Sequence, residues 1–194
     1  MNTIIKTNKP NGIHNDTGSY LQKFFIEQLK DMYYTEKELI KGLEEMKKAA
    51  STEELEDAFD AHLKQTERHV QRLEKVFKMV SRMPEQRTCE VIDALLKSGR
   101  TVISETKEGS LTRDAALIIA AQKIEHHEIA AYGGLVQLAV TMGLNRAADL
   151  LDKTLREEEQ TDSLLTDIAE SYINVKAEQE GNYNWQKQEE KNAP

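Results

Sequence analysis

Residues 120–134 read AAQKIEHHEIAAYGG. Small and apolar residues recur here at helical spacing, yet the segment carries two glutamates and two adjacent histidines. On an amphipathic helix, charged residues belong to the solvated face. Followed at about 100° per residue, the apolar stripe through this segment runs Leu117 or Ile118, Ala121, Glu125, Glu128, Tyr132, Leu135, Ala139 and Met142. Both glutamates therefore occupy core positions, one turn apart. His126 and His127 fall off the stripe and read as partners to neighbouring helices.

Working outward, the rest of the chain is helical by composition and periodicity. Three prolines and nine glycines occur in 194 residues, helix-favouring Glu, Lys, Leu, Ala and Gln dominate, and no strand alternation is visible. A first long helix is expected over about 19–49, with Ser19 as N-cap. A second starts after AST, with Ser51 or Thr52 as cap, and runs to about Met83 before Pro84. A shorter helix covers about 88–107. A third long helix runs from near Thr112 to Gly143, and a fourth from near Asn145 to about Lys176. Residues 1–18, with Pro10, Gly12 and Gly18, read as a flexible N-terminal arm, 19–176 as one helical domain, and 177–194 as a polar C-terminal tail without an apolar stripe.

The first two long helices are joined by a short connection, and so are the last two. The middle connection is long and contains its own helix. Two antiparallel hairpins linked by a crossover give an all-α, ferritin-like four-helix bundle with an additional crossover helix.

The other long helices repeat the anomaly of 120–134. The first stripe is Phe25, Leu29, Met32, Glu36, Leu39 or Ile40, Leu43 and Met46. The second is Leu55, Phe59, His62, Thr66, His69, Leu73, Val76 and Val80. The fourth is Ala148, Leu151, Leu155, Glu158, Asp162, Leu165, Ala169 and Tyr172, although the run REEEQ offers Glu157 and Glu159 as alternatives to Glu158. Tyr33 and Tyr132 can donate hydrogen bonds to carboxylates, with core packing the simpler account. Four stripes are interrupted near mid-helix by five carboxylates and one or two imidazoles. Uncompensated carboxylates at one level of a core each cost several kcal/mol, so they must be protonated, paired or metal-bound. No lysine or arginine lies on these stripes, which leaves no cation for pairing. Hard oxygen ligands with imidazole suit iron, manganese or zinc, and a cluster this rich in carboxylates can hold two divalent ions. His62 stands between ligand and supporting partner, and His69 alone reads as a core histidine.

Charge and hydropathy exclude other classes. A formal net charge of -8 without a basic cluster argues against nucleic acid. The longest apolar stretches, such as AALIIAA at 115–121, are too short to span a bilayer. The N-terminus has no secretory h-region, and the single cysteine, Cys89, forms no internal disulfide and fits a reducing cytoplasm.

The blocks LKDMYYTEKELIKGL (29–43), AHLKQTERHVQRLEKVF (61–77), RDAALIIAAQKIEHHEIAAYG (113–133) and LLDKTLREEEQTDSLLTDIA (150–169) resemble the ferritin-like stress proteins of the YciF/YciE type, over nearly everything from Tyr20 to Val175. The resemblance implies a rubrerythrin-like di-iron carboxylate bundle, a homodimer, and a role in general and oxidative stress. It supports Glu36, His62, Glu125, Glu128, Glu158 and Asp162 as metal ligands, with Gln65 and His69 secondary. This chain departs from some members in having Gln65 where they carry glutamate one turn after the histidine; glutamine cannot bridge as a carboxylate does, which bears on the second metal. No C-x-x-C pair is present, so the rubredoxin-type module of true rubrerythrins is absent.

Three functions remain open on sequence. One is an oxidoreductase of peroxidase or ferroxidase type, using two iron ions and acting on peroxide or dioxygen. The second is a metal-binding stress protein without turnover, and the third a helical adaptor, which would show an extra apolar stripe on an outer face.

Overall fold

Helix ends in this chain are set by a few side chains and by two left-handed residues. In the computed structural model, which describes residues 19–181, all regular structure is helical: α1 (Tyr20–Ala49), α2 (Glu53–Met79), α3 (Glu90–Glu105), α4 (Leu111–Thr141), α5 (Asn145–Ile168), a π-helical turn (Ala169–Ile173) and α6 (Asn174–Gln179). The expected arm over 1–18 and residues 182–194 of the expected tail lie outside the described residues. The final helix continues to Gln179, slightly past the boundary at 176.

Ser19 caps α1 as expected, its hydroxyl accepting from the Gln22 amide at 3.1 Å. The start of α2 differs from expectation. Neither Ser51 nor Thr52 caps it through its own side chain. Instead the buried carboxylate of Asp114, on α4, accepts from the Ser51 amide at 2.7 Å, the Thr52 amide at 2.9 Å and the Thr52 hydroxyl at 2.8 Å. A cap supplied across 62 residues ties the two hairpins together at one end of the bundle.

α2 stops at Met79, short of the expected Met83, because Ser81 enters the left-handed region at φ 56. The Arg82 amide then reaches back to the Phe77 carbonyl at 2.9 Å and the Ser81 amide to Lys78 at 3.1 Å, a Schellman closure that satisfies the last carbonyls. Gly143, at φ 72, closes α4 in the same way, with the Leu144 amide 2.9 Å from the Ala139 carbonyl. Beyond Ile168 the π-helical turn shifts the stripe by one residue: Ile173 is fully buried where Tyr172 was expected, and Tyr172 is only partly so.

The long helices pack as a square, α1 against α2, α2 against α5, α5 against α4 and α4 against α1, and α3 lies across α1 and α4. This is the expected pair of hairpins with a crossover helix. Gly42 lets α3 approach α1, since a Cβ there would overlap the Leu96 side chain. The apolar stripes fill the bundle as two separate clusters. One holds Leu39, Leu43, Leu55, Phe59, Ile92, Leu117 and Leu165; the other holds Phe25, Leu29, Met32, Leu73, Phe77, Leu135 and Leu151. On every long helix the polar intruders sit between the two.

Candidate metal centre

That polar layer is built by four helices at one depth. α1 contributes Glu36, α2 His62 and His69, α4 Glu125 and Glu128, and α5 Glu158; none of the six is more than 2% exposed. The i, i+3 spacing of Glu125 and Glu128 and the two-turn spacing of His62 and His69 keep each pair on one helical face.

The six form two groups that share a residue. His62, Glu125, Glu128 and Glu158 each present a ligand atom within 4.8 Å of the others, and so do Glu36, His69 and Glu158. Glu158 spans the two: Oε2 is 3.9 Å from His62 Nε2, and Oε1 is 2.9 Å from His69 Nδ1. His62 Nε2 lies 3.2 Å from Glu125 Oε1 and His69 Nδ1 3.5 Å from Glu36 Oε1. Close as these atoms are, they are not aligned for hydrogen bonds. His62 Nε2, His69 Nδ1, Glu36 Oε2, Glu125 Oε2 and both oxygens of Glu128 and Glu158 are buried without a hydrogen-bond partner.

The outward atoms, by contrast, are held. His62 Nδ1 faces Gln65 Oε1 at 3.4 Å and the Thr161 hydroxyl at 3.3 Å. His69 Nε2 is 2.9 Å from Glu157 Oε2. Arg72 grips Glu157 with two guanidinium N–H groups at 2.7 and 2.8 Å and donates to the Thr154 hydroxyl at 3.1 Å. The Tyr132 hydroxyl donates a short hydrogen bond to Glu36 Oε1.

Without metal, protons balance the charge. Burial pulls the His62 imidazole down, but the Glu125 and Glu158 carboxylates outweigh it and push the group up to about 9. His69 likewise loses to burial and gains more from Glu36 and Glu158, reaching about 11. Burial raises Glu128 well above the carboxylate range, reinforced by Glu158, Glu36 and Glu125. Glu158 rises to about 7 because burial outweighs the two histidines. Burial would also raise Glu157, but Arg72 and His69 hold it down at about 2.

The structure thus brings together five of the six expected ligands, Glu36, His62, Glu125, Glu128 and Glu158, and adds His69, which the sequence ranked behind them. Gln65 stands behind His62. Asp162 falls outside both groups: its side chain is 22% exposed, with Oδ1 3.4 Å from His126 Nε2. Among the REEEQ alternatives Glu158 faces inward, Glu157 flanks the site and Glu159 is exposed. The expectation that no cation is available for pairing is corrected twice. Arg72 is buried on the flank of the α2 stripe, three residues after His69, and reaches Glu157; His62 and His69 themselves carry charge. Glu157 and Arg72 are the residues that stripe reading missed. The i, i+3 relation of His69 to Arg72 was the available signal.

Eight unpartnered nitrogen and oxygen atoms converging from six buried side chains fit a divalent-ion set of oxygen and imidazole donors. No helix among the described residues is long and apolar enough to cross a membrane.

The comparisons with known proteins agree with this architecture. The domain of unknown function DUF892 matches residues 20–178. Protein YciF of Escherichia coli is 42% identical over 159 residues, 81% of this chain and 95% of that protein. The crystal structure of the E. coli stress protein YciF superposes with a TM-score of 0.76 at 40% identity, covering 81% of this chain and 99% of that one. YcfI of Rhodopseudomonas palustris, described as a candidate structural protein, gives 0.74 at 30% identity over 80% and 98% of the two chains. A Xanthomonas campestris protein shares the fold at a TM-score of 0.65 and 19% identity, over 82% and 98%. With its four interrupted stripes, its crossed pair of hairpins and a match along almost its whole described length, the chain belongs to the DUF892 family of YciF-like helical bundles.

Proposed function

We propose that this chain is a stress-response protein whose core holds two transition-metal ions, iron in the first place and manganese or zinc as alternatives. One ion is assigned to His62, Glu125, Glu128 and Glu158, the other to Glu36, His69 and Glu158. The observation that carries this reading is the set of eight buried, unpartnered donor atoms at one level of the bundle. Four carboxylates, from Glu36, Glu125, Glu128 and Glu158, match the charge of two divalent ions. Two bound iron ions would supply a redox couple able to react with peroxide or dioxygen. The chain's residues bind and orient. Glu158 offers one oxygen to each position, and Tyr132 fixes one oxygen of Glu36, leaving the other to face the centre. The apolar clusters on both sides keep bulk water out. Loading must release protons from His62, His69 and the raised carboxyls of Glu128 and Glu158, so affinity should rise with pH.

A second reading, a metal-binding or structural protein without turnover, draws on the same chemistry. Protonated His62 and His69 let the core stand without metal, and the neighbour YcfI is described as a candidate structural protein. The proposal further includes a cytoplasmic homodimer, supported by Val91 and Ile119, which are exposed on α3 and α4 at 52% and 57%. Sedimentation at twice 22.1 kDa tests the dimer.

Anaerobic titration of metal-free protein with ferrous ion should saturate at two ions per chain, with loss of binding in Glu125→Ala and Glu36→Ala. Binding equal to the parent in those variants refutes the site. Loaded parent should then consume peroxide faster than the same ferrous ion mixed with Glu158→Ala. Equal rates favour the protein without turnover.

A further inference from the structure

The two imidazoles of the polar layer are presented by different nitrogens. His62 turns Nε2 inward, 3.2 Å from Glu125 and 3.9 Å from Glu158, and leaves Nδ1 against Gln65 and Thr161. His69 is reversed: Nδ1 faces Glu158 at 2.9 Å and Glu36 at 3.5 Å, and Nε2 points away to Glu157 at 2.9 Å. Behind His69 stands a partner of a kind His62 lacks. Glu157 is forked by the Arg72 guanidinium at 2.7 and 2.8 Å, and Arg72, only 8% exposed, is held in turn by Thr154.

A carboxylate paired bidentately with arginine only accepts hydrogen bonds. The atom of His69 that meets it must therefore carry the proton. In a neutral imidazole the other nitrogen then holds the lone pair, and here that nitrogen is the unpartnered Nδ1 inside the cluster. Metal-binding histidines are typically oriented this way by a carboxylate on the far nitrogen. Behind His62 the Gln65 Oε1 also accepts, but at 3.4 Å and from a neutral amide that can exchange its oxygen for its NH2 it imposes the direction only weakly.

We infer that Arg72 and Glu157 are positioning residues for the second metal position: they lock His69 with its proton on Nε2 and so make Nδ1 the ligand atom, whereas His62 binds through Nε2. This assignment rests on the two-ion reading above. It makes the positions unequal. The ion beside His69 depends on a buried ion pair outside its own ligand set, and the ion beside His62 does not.

Glu157→Leu alone would strand Arg72, so the informative variant is Arg72→Met with Glu157→Leu, which replaces both charges by apolar groups. Zinc serves as a redox-silent probe. Calorimetric titration of the metal-free parent should give two zinc ions per chain, and the double variant should retain one and bind the other ~10–100-fold more weakly. Glu157→Gln, which keeps an acceptor for Nε2–H, should restore much of the loss. Nitrogen-15 imidazole spectra of the zinc-loaded parent should show Nδ1 of His69 and Nε2 of His62 as the metal-bound atoms. A double variant with two unchanged zinc affinities, or both histidines ligating through the same nitrogen, overturns the assignment and leaves the metal centre standing. A parent that takes up neither zinc nor ferrous ion overturns both.

Discussion

Glu128→Leu isolates what the polar layer costs the protein when no metal is present. Both oxygens of Glu128 are buried without a partner, and burial beside three other carboxylates keeps the group in its acid form. The metal-free protein therefore holds a neutral carboxyl with its hydrogen-bonding capacity unmet. An unsatisfied buried polar group costs roughly 1–3 kcal/mol, in line with the gain of about 1–4 kcal/mol when buried ionic groups become apolar. For a domain of about 160 residues the unfolding entropy is roughly 0.34 kcal/mol/K, so metal-free Glu128→Leu should melt ~3–9 °C above the metal-free parent. Each ion at a hundredfold excess over its Kd should raise the parent by about 2.7 kcal/mol, or ~8 °C. The variant should lose the share owed to the position beside His62. The assay is four calorimetric melts, parent and variant, each with chelator and with ferrous ion under nitrogen. A variant that melts below the parent in chelator, while keeping the full metal-induced rise, would show that Glu128 has a partner after all and is no ligand.

With chelator present, melting temperature should fall as pH rises. His62 and His69 have folded values of about 9 and 11 against an ordinary 6.5, so the stability they lend is complete below 6.5 and is lost through 9 and then 11. Glu158, raised to about 7, adds to the same decline between 4.5 and 7. Glu157, held at about 2, acts oppositely and loses its contribution only as pH falls from 4.5 toward 2; a metal-free melting temperature that climbs from pH 7 to 10 would contradict the charge balance. Asp114→Ala should cost about 2–3 kcal/mol in urea unfolding, because two amides at the start of α2 lose a buried charged acceptor. A change below 0.5 kcal/mol would mean that water replaces it. Ser81→Gly should stabilise by about 1 kcal/mol by relieving the left-handed residue that ends α2, and a destabilised variant would point to a different closure.

Periodicity made much of the site legible. Glu36, Glu125, Glu128 and Glu158 were found because a 3.6-residue repeat assigns each residue a direction, and the interior of a bundle is simply where the apolar directions meet. His62 and His69 lay on their stripe for the same reason, although nothing local distinguished a ligand from a packed histidine. What stayed hidden depends on neighbours from other helices. Glu157 is one residue from Glu158 and looks solvated until Arg72 of α2 is placed beside it. Asp114 reads as an ordinary first-turn acid of α4, and only the approach of the α1–α2 connection turns it into a cap. Asp162 lies one turn past Glu158 on the expected stripe, but its carboxylate turns to the rim near His126. Tyr172 was misplaced because the π-helical turn adds a residue that the repeat cannot anticipate, and Met83 because an L-residue at positive φ ended α2 early.

The separation of the interior into two apolar clusters bears on cooperativity. Each cluster has its own contacts from all four long helices, and α3 seals only the one containing Ile92 and Leu96. A layer of buried polar groups with unmet hydrogen bonds is a poor mechanical link, so in the metal-free chain the end without α3 can open while the sealed end stays closed. Amide exchange would then show two tiers of protection. Ions held jointly by α1, α2, α4 and α5 would stitch the ends together. The same six side chains that weaken the empty bundle at its waist would make the loaded one unfold as a single unit.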